Sequence, residues 1–175
     1  WIGVQQPAAI LASPEAGSVA ERAGLVGGER VQRVGFDGSE LQEVDSFEDL
    51  RWFLTKGALE GHDVRLAVTG TAQGLSSEFV LKLSGLQGVD ADAHLFRKIG
   101  IVGPFTLPVM GEIMAGSAAD QAGLRDGDVV KQVGNAPVVD GQQLRQLIRG
   151  SVLNGKAVAT VWKIERAGRI LELTV

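Results

Sequence analysis

The sequence predicts a mainly β protein with short helices, built as two small domains in tandem. An internal repeat, strand segments in which apolar and polar residues alternate, and short helices that begin at polar capping residues together predict this. The 175 residues are enough for two small domains.

The repeat relates residues 16–35 to residues 115–134 at a constant offset of 99 residues. The first copy begins AGSVAERAGL and the second AGSAADQAGL, and 11 of the 20 aligned positions are identical. A spacing this long favours tandem domains over a solenoid, in which neighbouring repeats share one core. We predict domains at 1–86 and 97–175, joined by a linker at 87–96 that shows no hydrophobic period.

Each copy is predicted to begin with a short helix. The capping pairs are Ser18 with Glu21 and Ser117 with Asp120. Gly24 and Gly123 follow at the position where a left-handed residue ends a helix. Strands are predicted next, at 30–34 and 129–133, because apolar and polar residues alternate there.

A longer helix and two strands are predicted to complete each copy. The capping pairs of the longer helices are Asp45 with Glu48 and Asp140 with Gln143. Gly57 and Gly150 are expected to end these helices. The predicted strands are 64–68 and 78–83 in the first copy, and 157–165 and 169–175 in the second.

Composition excludes several classes of function. There are 17 basic and 21 acidic residues, and a chain without a basic excess has little attraction for nucleic acid. With no cysteine, the chain has no disulfide, no thiolate zinc site and no cysteine nucleophile. Its apolar runs fall well short of the ~20 residues that cross a bilayer. Because it begins at Trp1, we expect it to be a piece of a longer protein.

The order of elements resembles a PDZ domain in the circularly permuted bacterial arrangement, present twice. The motif that carries this resemblance is Ala-Gly-Leu-x-x-Gly-Asp, which stands as AGLRDGD at residues 122–128, and the first copy, at 23–29, departs from it by having Glu29 at the last position. The resemblance implies that each half is a small, partly open β-barrel or sandwich capped by two helices.

The second half is also similar to site-2 intramembrane zinc metalloproteases of the regulator of sigma-E type. The similarity lies in IGI at 99–101, PV at 108–109, GSAA at 116–119 and the AGL motif. It implies a periplasmic segment of an inner-membrane protease that acts in regulated intramembrane proteolysis during the envelope stress response. The segment would bind protein C-termini, such as that of a cleaved anti-sigma factor, or exclude uncut substrates by size. Zinc would belong to the parent protease.

No catalytic residue, metal ligand or cofactor is predicted in the chain itself. The sequence contains neither a His-Glu-x-x-His nor a Gly-x-Ser-x-Gly motif. Asp90, Asp92 and His94 alternate, but a solvated linker is the better interpretation of that spacing.

The predicted site is the one through which PDZ domains bind peptides, where a peptide adds a strand to a sheet edge and backbone amides hold its carboxylate. Gly3 and Gly100 suit a carboxylate-binding loop because they lack a Cβ. The predicted residues are Ile99, Gly100, Ile101, Lys98, Arg145 and Ile148 in the second domain, and Ile2, Gly3, Val4, Phe47, Arg51 and Leu54 in the first. For any one of them, an ordinary core role is the alternative. We expect the second domain to bind better, because Pro7 shortens the available edge of the first.

Two other functions remain open at this point. One is the PDZ pair of a soluble periplasmic serine protease of the high-temperature-requirement type. The other is a non-enzymatic scaffolding or secretion module. A His-Glu-x-x-His motif upstream of this segment would favour the metalloprotease, and a Gly-x-Ser-x-Gly motif would favour the serine protease.

Overall fold

The computed structural model describes residues 7–70, 75–86, 88, 90–153 and 156–175, with the backbone alone at 152–153 and 156–157. The chain divides into two compact units, Trp1–Phe105 and Thr106–Val175. This division lies beyond the predicted linker at 87–96, so that residues 97–105 belong to the first unit. Among the described residues, no helix has both the length and the apolar character that crossing a membrane requires.

The first unit is one antiparallel sheet with helices packed on it. Its helices are α1 (Val19–Ala23), α2 (Phe47–Glu60) and α3 (Ala93–Ile99), with a 3-10 turn at Ser84–Leu86. Its strands are β1 (Arg30–Phe36), β2 (Gln42–Glu43), β3 (Val64–Thr69) and β4 (Ser76–Leu81), in the order β2-β1-β3-β4.

The second unit has the same plan. Its helices are α4 (Ala118–Gln121) and α5 (Gly141–Gly150). Its strands are β5 (Val129–Val133), β6 (Ala136–Pro137), β7 (Val152–Leu153), β8 (Lys156–Ala157), β9 (Val161–Arg166) and β10 (Arg169–Thr174). The main sheet has the order β10-β9-β5-β6, and β7 pairs with β8 in a separate hairpin.

The strand registers show that the two units are copies of one another. Arg30 pairs with Thr69 across β1 and β3, and Val129, 99 residues after Arg30, pairs with Glu165 across β5 and β9. Both ladders shift register at the same place, after Val31 and after Val130. The predicted class, mainly β with two PDZ-like halves, is therefore confirmed. Each half is an open, sandwich-like sheet rather than a closed barrel.

The predicted caps of the short helices are confirmed. The Ser18 hydroxyl accepts from the Glu21 amide at 3.2 Å, and the Ser117 hydroxyl accepts from the Asp120 amide at 3.2 Å. Gly24 is left-handed, with φ 101°, as is Gly123, with φ 90°.

The predicted ends of α2 are wrong. Ser46, not Asp45, caps the helix, and its hydroxyl accepts from the Asp49 amide at 3.2 Å. The helix continues through Gly57 to Gly61, where φ is 75°. Gly57 lies so close to β3 that an added Cβ would come within 2.6 Å of the Val64 side chain, so this glycine serves packing and not termination.

Two further predictions are corrected by local packing. The strand predicted at 157–165 is interrupted, since only Val161–Arg166 joins the main sheet. Part of the predicted linker is α3, which Asp92 caps by accepting from the His94 and Leu95 amides. Leu95 and Ile99, one turn apart, are fully buried in the core of the first unit, and this stabilises the helix.

Candidate peptide-binding site

Helices α2 and α5 hold equivalent positions in their units. The Phe47 amide donates to the Pro7 carbonyl at 2.9 Å, and the Gly141 amide donates to the Thr106 carbonyl at 2.9 Å. The first residue of each long helix is therefore hydrogen-bonded to a segment near the N-terminal end of its unit. Counting along the helices from this matched start makes Leu54 equivalent to Ile148.

In the first unit, the predicted site residues of α2 are either buried or in contact with another helix of the unit. Phe47 and Leu54 are 3% and 0% exposed and belong to the core. The Arg51 guanidinium lies over the Phe96 ring of α3, 4.3 Å from its centroid. Arg51, which was predicted to face a ligand, is therefore already in contact with helix α3 of the same unit.

The segment at 99–101 also lies in the first unit. Ile99 and Ile101 are buried in its core. Gly100 is left-handed, with φ 94°, and its amide donates to the Phe96 carbonyl at 2.8 Å, ending α3. An added Cβ would collide with the Ser18 hydroxyl. In this arrangement the Gly100 amide is used by the helix.

Lys98 and Arg97 are exposed on α3. Together with His94 they line a shallow cleft of about 250 Å³, whose other side is formed by Gly17 and Ser18. The predicted basic side chains are thus placed beside α1 of the first unit.

In the second unit, α5 keeps an open apolar position. Leu144 is buried in the core, whereas Ile148, one turn further, is 38% exposed. Arg145 is also exposed. The predicted site of the second domain is thus divided, with Lys98 and the 99–101 segment in the first unit and Arg145 and Ile148 in the second. Ile2, Gly3 and Val4 lie outside the described residues.

An ion pair in the second unit, between a buried aspartate and a partly buried arginine, was not predicted. Asp128 is 1% exposed. The Nε and Nη2 groups of Arg166 each donate a hydrogen bond of 2.7 Å to its carboxylate. Arg166 also donates to the Gly123 carbonyl at 2.9 Å. This hydrogen-bonded cation holds the pKa of Asp128 below its usual range, although burial opposes the shift. The acidic residue that ends the AGLRDGD motif, Asp128, was the feature of the sequence from which this ion pair could have been predicted.

The first unit has Glu29 at the position of Asp128. Glu29 is 5% exposed, and its two carboxylate oxygens accept from the Val26 and Gly27 amides at 2.7 and 2.8 Å. The longer side chain reaches two amides where Asp128 reaches one. In both units, the last acidic residue of the motif ties the turn after the short helix to the sheet.

The described residues contain no group of three or more His, Cys, Asp or Glu side chains that could hold a metal ion. The carboxylate of Asp92 is used in capping α3. The described residues of this chain therefore do not fit a zinc ion.

The family comparison decides the fold family of the second unit. Residues 109–163 match the model of the PDZ domain. The chain contains a PDZ domain. The shared topology and register described above extend the same architecture to the first unit.

Comparison with curated proteins confirms the resemblance predicted from the motifs. The chain is 30% identical, over 152 residues, to a protein of Ralstonia nicotianae provisionally named a zinc metalloprotease, covering 85% of this chain and 32% of that protein. It is 29% identical over 144 residues to the regulator of sigma-E protease of Salmonella typhimurium and of Salmonella typhi, covering 79% of this chain and 31% of each relative. The chain thus spans about a third of the length of the curated relatives it matches.

Proposed function

We propose that this chain is the regulatory PDZ pair of a membrane-embedded zinc metalloprotease of the regulator of sigma-E type. The similarity that covers 85% of the chain, and so both units, is the observation that carries the proposal. The pair lies in the periplasm and controls which membrane substrates reach the zinc site. Its substrate is an anti-sigma factor that an earlier cut has trimmed.

The chain's part in this reaction is recognition, and bond cleavage takes place elsewhere in the parent. The sequence has no catalytic motif, and the described residues offer no zinc ligand set. Zinc supplies the Lewis acid and the activated water in such proteases. The names of the reported relatives favour this function over the serine protease and scaffolding alternatives.

Two mechanisms of control fit the pair. A peptide C-terminus can be held at the open helix α5, where Ile148 is 38% exposed, whereas the equivalent Leu54 in the first unit is fully buried. Two folded units can also exclude a bulky uncut substrate. We assign peptide capture to the second domain and size exclusion to the pair.

Titration of the full chain with a peptide that ends in an apolar residue tests peptide capture. We expect saturable NMR shifts at Arg145 and Ile148, the exposed residues of α5 in the predicted site. The same peptide with an amidated C-terminus is the control, since it lacks the carboxylate that backbone amides recognise.

Replacement of Ile148 by Ala is expected to weaken binding several-fold, because the exposed side chain contributes apolar contact. The control is Val139→Ala, which shortens a side chain of the same unit that is 39% exposed and lies outside the predicted site. Absence of shifts at both Arg145 and Ile148 would contradict peptide capture and leave size exclusion as the mechanism.

A further inference from the structure

At one of the matched positions where the two units differ, the first unit has a cavity in place of a side chain. The register pairs Thr69 with Arg30 and Glu165 with Val129, so that Gly70 stands where the second unit has Arg166. Arg166 fills its place by binding Asp128 and the Gly123 carbonyl. Gly70 has no side chain to do this.

In the first unit, the equivalent place is an open cavity of about 310 Å³. Its walls include Gly24 and Glu29, which match the two groups bound by Arg166 in the second unit. Glu29 is 95% buried, since its exposed fraction is 5%, and it forms no ion pair with any described residue. A carboxylate can accept about four hydrogen bonds, and the Val26 and Gly27 amides supply two.

The remaining walls suit the rest of an arginine side chain. Phe79 lines the cavity where the second unit has Leu173, because Leu66 pairs with Phe79 as Trp162 pairs with Leu173. An aromatic ring attracts a guanidinium cation. Val26 and Leu75, 66% and 64% exposed, provide apolar surface for the methylene stem.

We propose that this cavity binds the guanidinium group of an arginine side chain supplied by another polypeptide. The ligand takes the place that Arg166 holds in the second unit and forms a charge-assisted pair with Glu29. None of the residues that line this cavity belongs to α2 or α5, so the proposal does not depend on the capture of a C-terminus.

The test is an NMR titration of the full chain with the peptide Gly-Ser-Arg-Ser-Gly, compared with the same peptide carrying citrulline in place of arginine. Citrulline has the same shape without the charge. We expect saturable shifts of the Val26, Gly27 and Phe79 amides with the arginine peptide and at least tenfold weaker binding of the citrulline peptide. Equal shifts with both peptides, or none with either, would overturn the proposal.

Variants locate the site. Glu29→Gln is expected to weaken arginine binding roughly tenfold, the loss that follows from removing one charge-assisted pair. Glu78→Gln, which removes an exposed carboxylate of the same unit outside the cavity, is the control and is expected to change affinity less than twofold. Equal losses in the two variants would overturn the proposal by showing attraction to net charge alone.

If Glu29→Gln does not fold, Phe79→Leu provides a second test of the proposal. This variant is expected to fold, because the second unit has Leu173 at the matched position. Loss of the aromatic face is expected to weaken binding about two- to fivefold. Unchanged affinity in Phe79→Leu would contradict the proposed binding geometry.

Discussion

Asp128 and Glu29 occupy the same position in the two copies, yet they are satisfied by different partners. Asp128 has a cation from its own chain, whereas Glu29 has backbone amides. A buried carboxylate without such partners would be costly. Both copies of the repeat thus keep an acidic residue that accepts hydrogen bonds from amides of the turn. The second copy adds Arg166 as a partner, whereas the first copy has Gly70 at that position.

Replacing Asp128 by Asn is expected to destabilise the second unit by about 1–3 kcal/mol, because the partly buried Arg166 guanidinium loses its charged acceptor. Urea unfolding followed through the NMR signal of the buried Trp162 measures the loss. Glu172→Gln is the control, since its 3.8 Å pair with Lys163 lies at the surface and its removal is expected to change the free energy of unfolding by less than about 0.5 kcal/mol.

The contribution of Asp128 to stability is expected to depend on pH in a defined direction. The pKa of its carboxyl is lower in the folded protein than in the unfolded chain, because Arg166 stabilises the charged form. The stabilisation is therefore complete above the unfolded value of about 3.9 and is lost as pH falls through the folded pKa. Unfolding measured at pH 7 and at pH 3 should show a smaller difference between wild type and Asp128→Asn at pH 3. An undiminished difference at pH 3 would show that charge does not contribute.

Leu54 and Ile148 hold equivalent positions, but Leu54 is fully buried and Ile148 is 38% exposed. Replacing each by alanine shows how much each side chain contributes to stability. Leu54→Ala is expected to cost about 2–5 kcal/mol of stability, as for other fully buried leucines. Ile148→Ala is expected to cost less, because more than a third of the residue is already exposed in the folded protein. Thermal unfolding of both variants measures this, and equal losses would mean that Ile148 is a core residue.

At the scale of the element, sequence reasoning predicted the caps of the short helices and missed both ends of α2. Caps such as Ser18 and Asp140 depend on neighbouring residues only, so their pattern is visible in the sequence. Glycine is typical of helix ends, but Gly57 is needed for close packing against Val64 of β3, a contact that the local sequence pattern does not show. Helix α3 was missed because Leu95 and Ile99 are a short stripe within a segment otherwise read as polar linker.

Gly57→Ala tests this packing role. Alanine is usually favoured over glycine within a helix, but here the added Cβ would lie 2.6 Å from the Val64 side chain and 2.9 Å from the His62 carbonyl. We expect a loss of about 1–3 kcal/mol in the free energy of unfolding. Gly150→Ala at the end of α5 is the control, since an added Cβ there meets nothing within 4 Å, and we expect no loss. A stabilised Gly57→Ala would contradict the close approach.

At the scale of the whole molecule, the duplication and the PDZ-like topology could be predicted because 11 of 20 positions repeat and each copy carries the same order of elements. The site was harder to predict. The motif at 99–101 echoes a carboxylate-binding loop, but burial of Ile99 and Ile101 places it in the first unit. Sequence similarity between copies does not show which core a connecting segment will join.

Deletion of both units from the proposed parent protease tests the central claim most directly, with cleavage of its proposed substrate, the untrimmed anti-sigma factor, as the measurement. A protease with both units intact is the control and should spare that substrate until it has been trimmed. If the units restrict access without taking part in catalysis, the deleted protease will cleave the untrimmed substrate. A deleted protease that still cleaves trimmed substrate but spares the untrimmed form would contradict the account.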